Sequence, residues 1–363
     1  MRAVFGVPIM VLNDTVLDWF CLINTKGIGA KTFWSLMNTY KTASEVLKHV
    51  ENPFSKIDAA KCLKNMDCDV ILADDEIFPK SLRRSSFCPP LLFYKGDKSI
   101  LSRRMLAIIG ARNASINGQK IARNLASRLT CEFAIVSGLA KGIDASAHIG
   151  SLENASGLSA DNKSAIAIVP FGFDNIYPKE NQRLFQEIAE KGLVLSEVPY
   201  GKPVDQGMFQ ARNRIISLIS EGIIVIEAGY KSGTMATATM ALDCGCEIMV
   251  VPGTPTDPRN LGSNSLIKNG ANLIQNHFDV LEILGSRSTE KHEHTVIKQN
   301  ELPIQSGKTE LLSLLSETPV SIDELSVRLS IGIQELLCLI SELELSGNIC
   351  RTPKNEIVLN GRL

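Results

Sequence analysis

Glycines, a lysine, an aspartate and a histidine occur together in the stretch IVSGLAKGIDASAH at residues 135–148. An apolar run ends at Ser137-Gly138, and Lys141-Gly142 follow within one turn of chain. A strand that leads into a glycine-rich turn with a lysine commonly holds phosphate, because the turn exposes backbone N–H groups beside a cation. The phosphate could belong to a dinucleotide, to a nucleoside triphosphate or to the backbone of a nucleic acid.

Ser137, Asp144 and His148 also have the side-chain types of a catalytic triad. The nucleophile-elbow pattern G-x-S-x-G is absent around Ser137, however, and Asp144 and His148 are four residues apart on one predicted helix. That spacing suits one residue that caps the helix start and another that packs against a neighbouring element. The stretch is therefore predicted to be a binding turn and not an enzyme active site.

The first two apolar runs of this region do not fit a dinucleotide site. Such a site needs G-x-G-x-x-G after the first strand and an acidic residue at the end of the second. Here the first run leads into Gly110-Ala-Arg112-Asn-Ala-Ser115, and the second ends at Ser137. No nicotinamide or flavin cofactor is expected.

Two other motifs lie in residues 285–309, which are polar, aperiodic and predicted to be a linker. Gly307-Lys308-Thr309 imitates the end of a P-loop, but position 302 is not glycine and no apolar strand precedes it. His292 and His294 have no further set of ligands nearby. Neither a triphosphate site nor a metal site is predicted there.

Residues 101–284 contain apolar runs that alternate with helical patterns. This alternation predicts an α/β fold, with an extended Rossmann-like, doubly wound and mostly parallel sheet covered by helices on both faces. Such sheets bind ligands at the carboxyl ends of their strands. Five glycines close a strand or the turn after it, and so lie at that edge: Gly110, Gly138, Gly172, Gly229 and Gly253.

Smaller regions flank the predicted sheet domain. Residues 1–100 are predicted to be a helical N-terminal region with a connector, in which Lys26-Gly-Ile-Gly-Ala-Lys31 joins two helical patterns as in a helix-hairpin-helix. A tight turn between two helices that needs glycine for its backbone conformation would show the same pattern. Residues 310–363 contain three short helical patterns and a hairpin, which predict a winged helix.

Composition excludes several classes of protein. The chain has 363 residues, of which 44% are hydrophobic and 21% charged, and its net charge of −1 shows no overall basic excess. Its nine cysteines are scattered without a Cys-x-x-Cys pair, which favours reduced thiols in a cytoplasmic protein. No apolar stretch approaches the roughly 20 residues that span a bilayer, so no membrane contact is expected.

Cations are nevertheless concentrated locally. Seven lysines and arginines between positions 103 and 141 are opposed only by Glu132. Arg112 and Lys141 each follow a predicted strand, and Arg212-Asn213-Arg214 open a later helix. Cations and helix N-termini at several strand ends would form a track of anion sites. Such a track suits a single strand of nucleic acid better than a mononucleotide.

Eight short motifs lie within the predicted sheet domain: IIGARNAS (108–115), SGLAKGIDASAH (137–148), YPKEN (177–181), SEVP (196–199), FQARNRII (209–216), EAGYKSGTMATATMAL (227–242), VPG (251–253) and GSNSLIKNGA (262–271). Together they closely resemble the DNA-processing protein A family, also called DprA or Smf. The flanking regions are more weakly similar to the family's N-terminal sterile-alpha-motif or helix-hairpin-helix region and to its C-terminal winged helix.

The resemblance implies a non-enzymatic protein that binds single-stranded DNA and forms a homodimer through its central domain. It further implies that the protein protects incoming strands during natural transformation and passes them to the RecA recombinase. Asp144, His148 and Glu197 are assigned supporting roles. The positions that the resemblance assigns to phosphate contact are Gly110, Arg112, Ser137, Gly138, Lys141, Gly142, Arg212, Asn213, Arg214, Ser232 and Gly233.

The chain departs from the family's pattern at two places. Where G-x-G-x-D is common, it has Pro170-Phe-Gly-Phe-Asp174, and the added phenylalanine is a candidate for stacking on a base. A polar insertion at residues 153–165 precedes the third strand and is expected to be a surface loop.

The predicted winged helix is acidic. Between residues 310 and 348, seven acidic residues oppose the single cation Arg328. The hairpin that follows adds only Arg351 and Lys354, against Glu356. Because this charge repels phosphate, we predict a protein-contact or spacer role for the domain and not DNA recognition.

A second functional class stays open at this point. Rossmann-like nucleotide phosphoribohydrolases, of the cytokinin-activating or lysine decarboxylase-like type, hold a nucleotide phosphate with a P-G-G-x-G-T-x-x-E signature. The corresponding stretch at residues 227–237 keeps the Gly-Thr pair but has Thr237 where the catalytic glutamate is expected. A purely structural module is a third alternative, but it would leave the cationic strand ends unexplained.

Overall fold

A computed structural model describes residues 13–154, 163–285, 311–316, 318–329, 331–352 and 355–359. The chain divides into two compact units, Met1–Thr289 and Glu290–Leu363. The P-loop-like motif at 307–309, His292 and His294, the predicted linker beyond residue 285, and most of the polar insertion lie outside the described residues.

Four helices precede the sheet in the first unit: α1 (Asp14–Asn24), α2 (Ala30–Tyr40), α3 (Ala43–His49) and α4 (Lys56–Asn65). They pack on an aromatic cluster in which the Trp19 ring lies 5.0 Å from that of Phe33. The turn between α1 and α2 contains Gly27 at φ 87°, a left-handed conformation that favours glycine. The two predicted helices and their glycine turn are therefore present.

The strands of the first unit are β1 (Asp69–Leu72), β2 (Leu91–Gly96), β3 (Arg104–Gly110), β4 (Phe133–Ser137), β5 (Ala165–Val169), β6 (Leu193–Ser196), β7 (Gly222–Ile226), β8 (Glu247–Val250) and β9 (Asn272–Leu273). They form one sheet in the order β1-β2-β6-β5-β4-β3-β7-β8-β9. The strands from β3 to β9 pair in parallel, whereas β1 and β2 add antiparallel at the β6 side. The predicted mostly parallel sheet is confirmed.

Helices cover both faces of this sheet: α5 (Lys80–Arg83), α6 (Ile116–Leu129), α7 (Ile143–Asn154), α8 (Gln182–Lys191), α9 (Gln206–Ile219), α10 (Gly233–Asp243), α11 (Leu261–Lys268) and α12 (His277–Leu284). Alternate residues of β3 pack into two separate cores, Leu106 and Ile108 into one, Ala107 and Ile109 into the other. A strand buried on both faces reads as a continuous apolar run, which is why the sequence shows no polar alternation here.

Strands β1 and β2 were not predicted, since residues 1–100 were expected to contain only helices and a connector. Both strands are short, and β2 pairs with β6 about a hundred residues further along the chain, with Phe93 opposite Ser196. Gly96 shows how closely the two segments approach, because a Cβ there would lie 2.2 Å from the Gly192 carbonyl oxygen. Long-range pairing of this kind leaves little local signal in a sequence.

The second unit has the elements of a winged helix: a helical turn at residues 311–314, α13 (Ile322–Leu329), α14 (Ile333–Leu345), and strands β10 (Val320–Ser321), β11 (Ile349–Arg351) and β12 (Glu356–Leu359) in the order β10-β12-β11. Leu325, Leu336 and Ile357 are fully buried in its core. Arg328 pairs with Glu324, and Arg351 pairs with Glu344. The predicted contact or spacer role of this acidic unit remains a prediction.

All nine cysteines lie in described positions, and none of them forms a disulfide. Across the described ranges, no helix combines the length and apolar character needed to cross a membrane. The same ranges hold no group of three His, Cys, Asp or Glu residues placed to hold a metal ion.

Candidate nucleic-acid interface

A large cavity opens where the winding of the sheet changes direction. Strands β3 and β7 are adjacent and parallel, but the chain leads from β3 towards β4 and from β7 towards β8, on opposite sides. Open α/β sheets bind ligands in the crevice at such a switch point. The cavity, here called the edge cavity, has a volume of about 1050 Å³. Its lining includes Gly110, Arg112, Tyr177, Phe209, Arg212, Asn213, Ser232, Gly233 and Thr234.

Gly110 and Gly142 allow backbone segments to approach at the edge of the sheet. A Cβ on Gly110 would lie 1.9 Å from the Ile226 carbonyl oxygen. Gly142 has φ 79°, and a Cβ there would lie 2.3 Å from the carbonyl oxygen of Ala111. Any side chain at either position would push apart the loops that carry the cations.

Polar groups of the turn after β4 form hydrogen bonds within the protein. The Ser137 hydroxyl is fully buried and donates to the Ile108 carbonyl over 2.6 Å. The Asp144 carboxylate accepts hydrogen bonds from the Gly138 and Ala140 N–H groups, at 3.2 and 3.4 Å. The predicted phosphate donors Ser137 and Gly138 are therefore committed within the protein, and Asp144 holds the turn.

Arg212 passes directly over this turn. A Cβ on Gly138 would lie 1.7 Å from Arg212 Nη1, which donates to the Ile168 carbonyl over 2.9 Å. The side chain is 6% exposed, and burial lowers the pKa of Arg212 to about 10, although the Asp144 carboxylate acts in the opposite direction. Arg212 thus packs against the turn and also lines the edge cavity.

His148 and Asp144 lie near Arg212. Burial and, to a smaller extent, the nearby Arg212 cation lower the pKa of His148 to about 3, so the imidazole is neutral at physiological pH. Burial raises the pKa of Asp144, while Arg212 opposes that shift. The histidine and the aspartate occupy fully or almost fully buried positions. Neither the His148 imidazole nor the Asp144 carboxylate is therefore an exposed base or nucleophile.

Arg214 is on the same helix as Arg212 but points elsewhere. Its Nη2 lies 2.6 Å from both carboxylate oxygens of Glu197. Burial raises the pKa of Glu197, and the Arg214 cation counteracts that shift. The lining of the edge cavity includes Arg212 and Asn213 but neither member of this ion pair. Arg214 and Glu197 therefore form an ion pair outside the lining of the edge cavity.

Arg112 is exposed and lies against the ring of Phe209, which in turn contacts the ring of Tyr177. Its guanidinium carbon lies 5.3 Å from the centre of the Phe209 ring, a cation–π contact. The Tyr177 ring is edge-on to Phe209 at 6.0 Å, and Tyr177 is 49% exposed. Neither aromatic residue was predicted as a site residue, although both lie in the motifs that carry the family resemblance. For Phe209, a signal was available in the sequence, because this residue stands three positions before Arg212 in a cationic motif.

A second, smaller cavity of about 50 Å³ lies on the far side of these rings. Arg112, Tyr177 and Phe209 line both cavities, and Lys141 lines the smaller one. The Lys141 ammonium is exposed and lies 2.5 Å from a carboxylate oxygen of Glu180. The two cavities share Arg112, Arg212 and the two rings. Lys141 lies beside the smaller cavity and the N-terminus of α10 beside the larger one, and we call this continuous edge the ring track.

The N-terminus of α10 opens into the edge cavity. Ser232 caps this helix by accepting from the Met235 N–H over 3.4 Å, and Gly233 has no atom within 4 Å of the position of a Cβ. Thr234 ties the helix to β3, because its hydroxyl donates to the Gly110 carbonyl over 3.0 Å. Exposed N–H groups and the helix dipole favour an anion at this end.

The predicted stacking role of the phenylalanine between Pro170 and Asp174 is wrong. Phe171 is fully buried and Phe173 almost so, and both rings pack against Phe185. Apolar burial beneath the loop outweighs exposure to solvent for a ring of this size.

The fold and this edge define a class: a doubly wound Rossmann-like protein with a cation-lined cavity at the switch point of its sheet, followed by a winged helix. The sequence profile of the DNA recombination-mediator protein A family matches residues 69–285. That of the DprA winged helix domain matches residues 298–355. The chain belongs to the DNA processing protein A (DprA/Smf) family.

Individual relatives agree with this assignment. Protein Smf of Escherichia coli is 31% identical over 324 residues, which cover 88% of this chain and 85% of that protein. DNA processing protein DprA of Streptococcus pneumoniae is 38% identical over 207 residues, which cover 57% and 71%. The X-ray structure of the S. pneumoniae protein matches with a TM-score of 0.64 at 28% identity, over 73% of this chain and 97% of that one.

A solved structure of DNA processing protein A from Helicobacter pylori, which concerns its single-stranded DNA binding mode, matches with a TM-score of 0.52. It is 31% identical and the match covers 59% of this chain and 95% of that chain.

Proposed function

We propose that this protein binds single-stranded DNA, without sequence preference, along the ring track. The observation that carries the proposal is the array of Arg112, Phe209 and Tyr177 between two cavities. Exposed cations and a helix N-terminus attract phosphates, while the exposed ring of Tyr177 and the half-buried ring of Phe209 can stack on any base. The solved H. pylori relative, described by its single-stranded DNA binding mode, supports the same ligand.

The geometry gives the hydrolase alternative less support. Thr237, at the position of the expected catalytic glutamate, is almost fully buried, and its hydroxyl donates to the Gly233 carbonyl over 2.9 Å. Asp144 also lines the edge cavity, but its carboxylate accepts from two backbone N–H groups of the turn. We therefore propose a binding protein and not an enzyme.

The wider role follows from family membership. We propose that the protein acts in the cytoplasm, protects incoming single strands during transformation and delivers them to the RecA recombinase. We also propose a homodimer formed through the sheet domain. Leu261, Leu273 and Phe278 support this proposal, because they are large apolar residues, each about half exposed, near the last helices of that domain.

A salt-dependent titration tests the proposed ligand. Fluorescence anisotropy with labelled single-stranded and duplex DNA of equal length should give tighter binding to the single strand. The logarithm of the affinity should fall linearly with the logarithm of the salt concentration, by about 0.7 per phosphate neutralised on a single strand. Equal weak binding to both DNAs, or release of a free base from a nucleoside monophosphate, would contradict the proposal.

A further inference from the structure

Glu227 places a carboxylate at the N-terminus of α6. This residue directly follows β7, and its carboxylate accepts a hydrogen bond from the backbone N–H of Ser115 over 2.8 Å. The Ser115 hydroxyl donates to the other carboxylate oxygen. Ser115 is the residue that caps α6, and its oxygen also accepts from the Gly118 N–H over 2.9 Å. The carboxylate therefore occupies the position where that helix attracts an anion.

The surrounding backbone is shaped to admit this side chain. A Cβ on Gly118, in the first turn of α6, would lie between 2.7 and 2.9 Å from the Glu227 carboxylate atoms. Glu227 itself has φ 53°, a left-handed conformation that is unfavourable for a residue with a side chain. The side chain is nevertheless almost fully buried. A residue that its surroundings hold in a sparsely populated conformation points to a functional role.

The helix that Glu227 caps has a special place in the topology. Helix α6 follows β3, at the switch point of the sheet, and Rossmann-like proteins hold a dinucleotide pyrophosphate at that helix N-terminus. In this chain the protein's own carboxylate fills the position. The N-terminus of α10, in contrast, lines the edge cavity with Ser232 and Gly233, whereas Ser115 and Glu227 do not line it.

We propose that Glu227 acts as an internal substitute for a bound phosphate and so determines which phosphates the edge accepts. Its charge and volume exclude free nucleotides and pyrophosphate from α6. The same hydrogen bonds tether the loop that carries Arg112 to the end of β7, so the cation faces the ring track. The exclusion of free phosphates from α6 does not depend on the proposed function. The effect of the Arg112 position on DNA affinity rests on the proposed binding of single-stranded DNA.

Removal of the side chain tests the exclusion. Glu227→Gly suits the left-handed backbone and frees the N-terminus of α6, and Glu227→Ala provides a second variant. Inorganic pyrophosphate, titrated by calorimetry, should bind at least about tenfold more tightly to both variants than to the wild-type chain. Glu221→Ala is the matched control, because Glu221 precedes the opposite end of β7 and pairs with Arg104. It removes the same charge away from the edge and should leave pyrophosphate binding unchanged.

A second measurement separates this inference from the proposed function. The affinity of Glu227→Gly for single-stranded DNA should fall about three- to tenfold, since the Arg112 loop loses its tether. Thermal melting establishes that the variants are folded. Folded variants that bind pyrophosphate no better than the wild-type chain or the Glu221→Ala control would overturn the inference. If the wild-type chain fails to bind single-stranded DNA, the proposed function falls, but a gain of pyrophosphate binding still supports the exclusion.

Discussion

Arg212 and Arg214 on α9 are bound to acceptors within the protein, the first buried and the second largely so, whereas Arg112 and Lys141, on the loops after β3 and β4, stand at its surface. All four are cations near the carboxyl edge of the sheet, and the family resemblance assigns all four to phosphate contact. Arg212 donates to the Ile168 carbonyl and Arg214 is paired with Glu197. Arg112 lies over the ring of Phe209, and the side chains of Lys141 and its partner Glu180 are both more than half exposed.

The difference shows that an arginine near the carboxyl edge of the sheet can either bond to groups within the protein or stand exposed at its surface. A buried guanidinium has lost its hydration and depends on protein acceptors, so its removal should reduce stability. An exposed guanidinium keeps its hydration until a phosphate replaces the water, so its removal should reduce affinity. Variants of Arg212 and Arg214 should therefore change the free energy of unfolding, and variants of Arg112 and Lys141 the affinity for single-stranded DNA.

The largest effect is expected for Arg212→Met, which keeps most of the side-chain volume. The free energy of unfolding should fall by about 3 kcal/mol or more, because the buried Asp144 carboxylate loses its neighbouring cation and the Ile168 carbonyl loses its donor. Urea denaturation measures the change. Arg214→Met is the control and should be less destabilising, since the Glu197 side chain is 27% exposed and can still be hydrated. Unchanged stability with a large loss of DNA affinity would make Arg212 a direct contact instead.

Much of the fold could be predicted from local patterns. The apolar runs of β3 to β8 and the helices between them follow from periodicity, and the glycines at strand ends locate the edge. Burial of a particular polar side chain is different, because it depends on segments that meet only after folding. Arg212 is buried because Gly138, more than seventy residues earlier, leaves room for its guanidinium.

The same reason explains what the sequence did not reveal at the site. Tyr177 and Phe209 belong to separate motifs, and their rings meet only when the loop after β5 packs against α9. The Glu227 carboxylate bonds to Ser115 across 112 residues. Phe171 showed the opposite error: an aromatic residue in a binding loop was predicted to face a base, but it is buried against Phe185.

An intermediate effect is expected for Arg112→Ala. Affinity for single-stranded DNA should fall about tenfold, equivalent to about 1.4 kcal/mol. The salt dependence should flatten by about 0.7, because one phosphate contact is lost. Thermal melting should be unchanged, since the side chain is exposed. Phe209→Leu is the matched control: it should weaken binding through lost stacking and leave the salt dependence as it is. An Arg112→Ala protein with unaltered salt dependence would remove Arg112 from the site.

The smallest effect is expected for Lys141→Ala, because Lys141 already has a partner. Its ammonium lies 2.5 Å from Glu180, so a phosphate must compete with that carboxylate. Affinity for single-stranded DNA should fall about two- to threefold, with a flattening of the salt dependence below about 0.7. Glu180→Gln should act in the opposite direction and tighten binding, since it frees the ammonium and removes a negative charge. If both variants weakened binding equally, the ion pair itself, and not the lysine, would be the element that the DNA contacts.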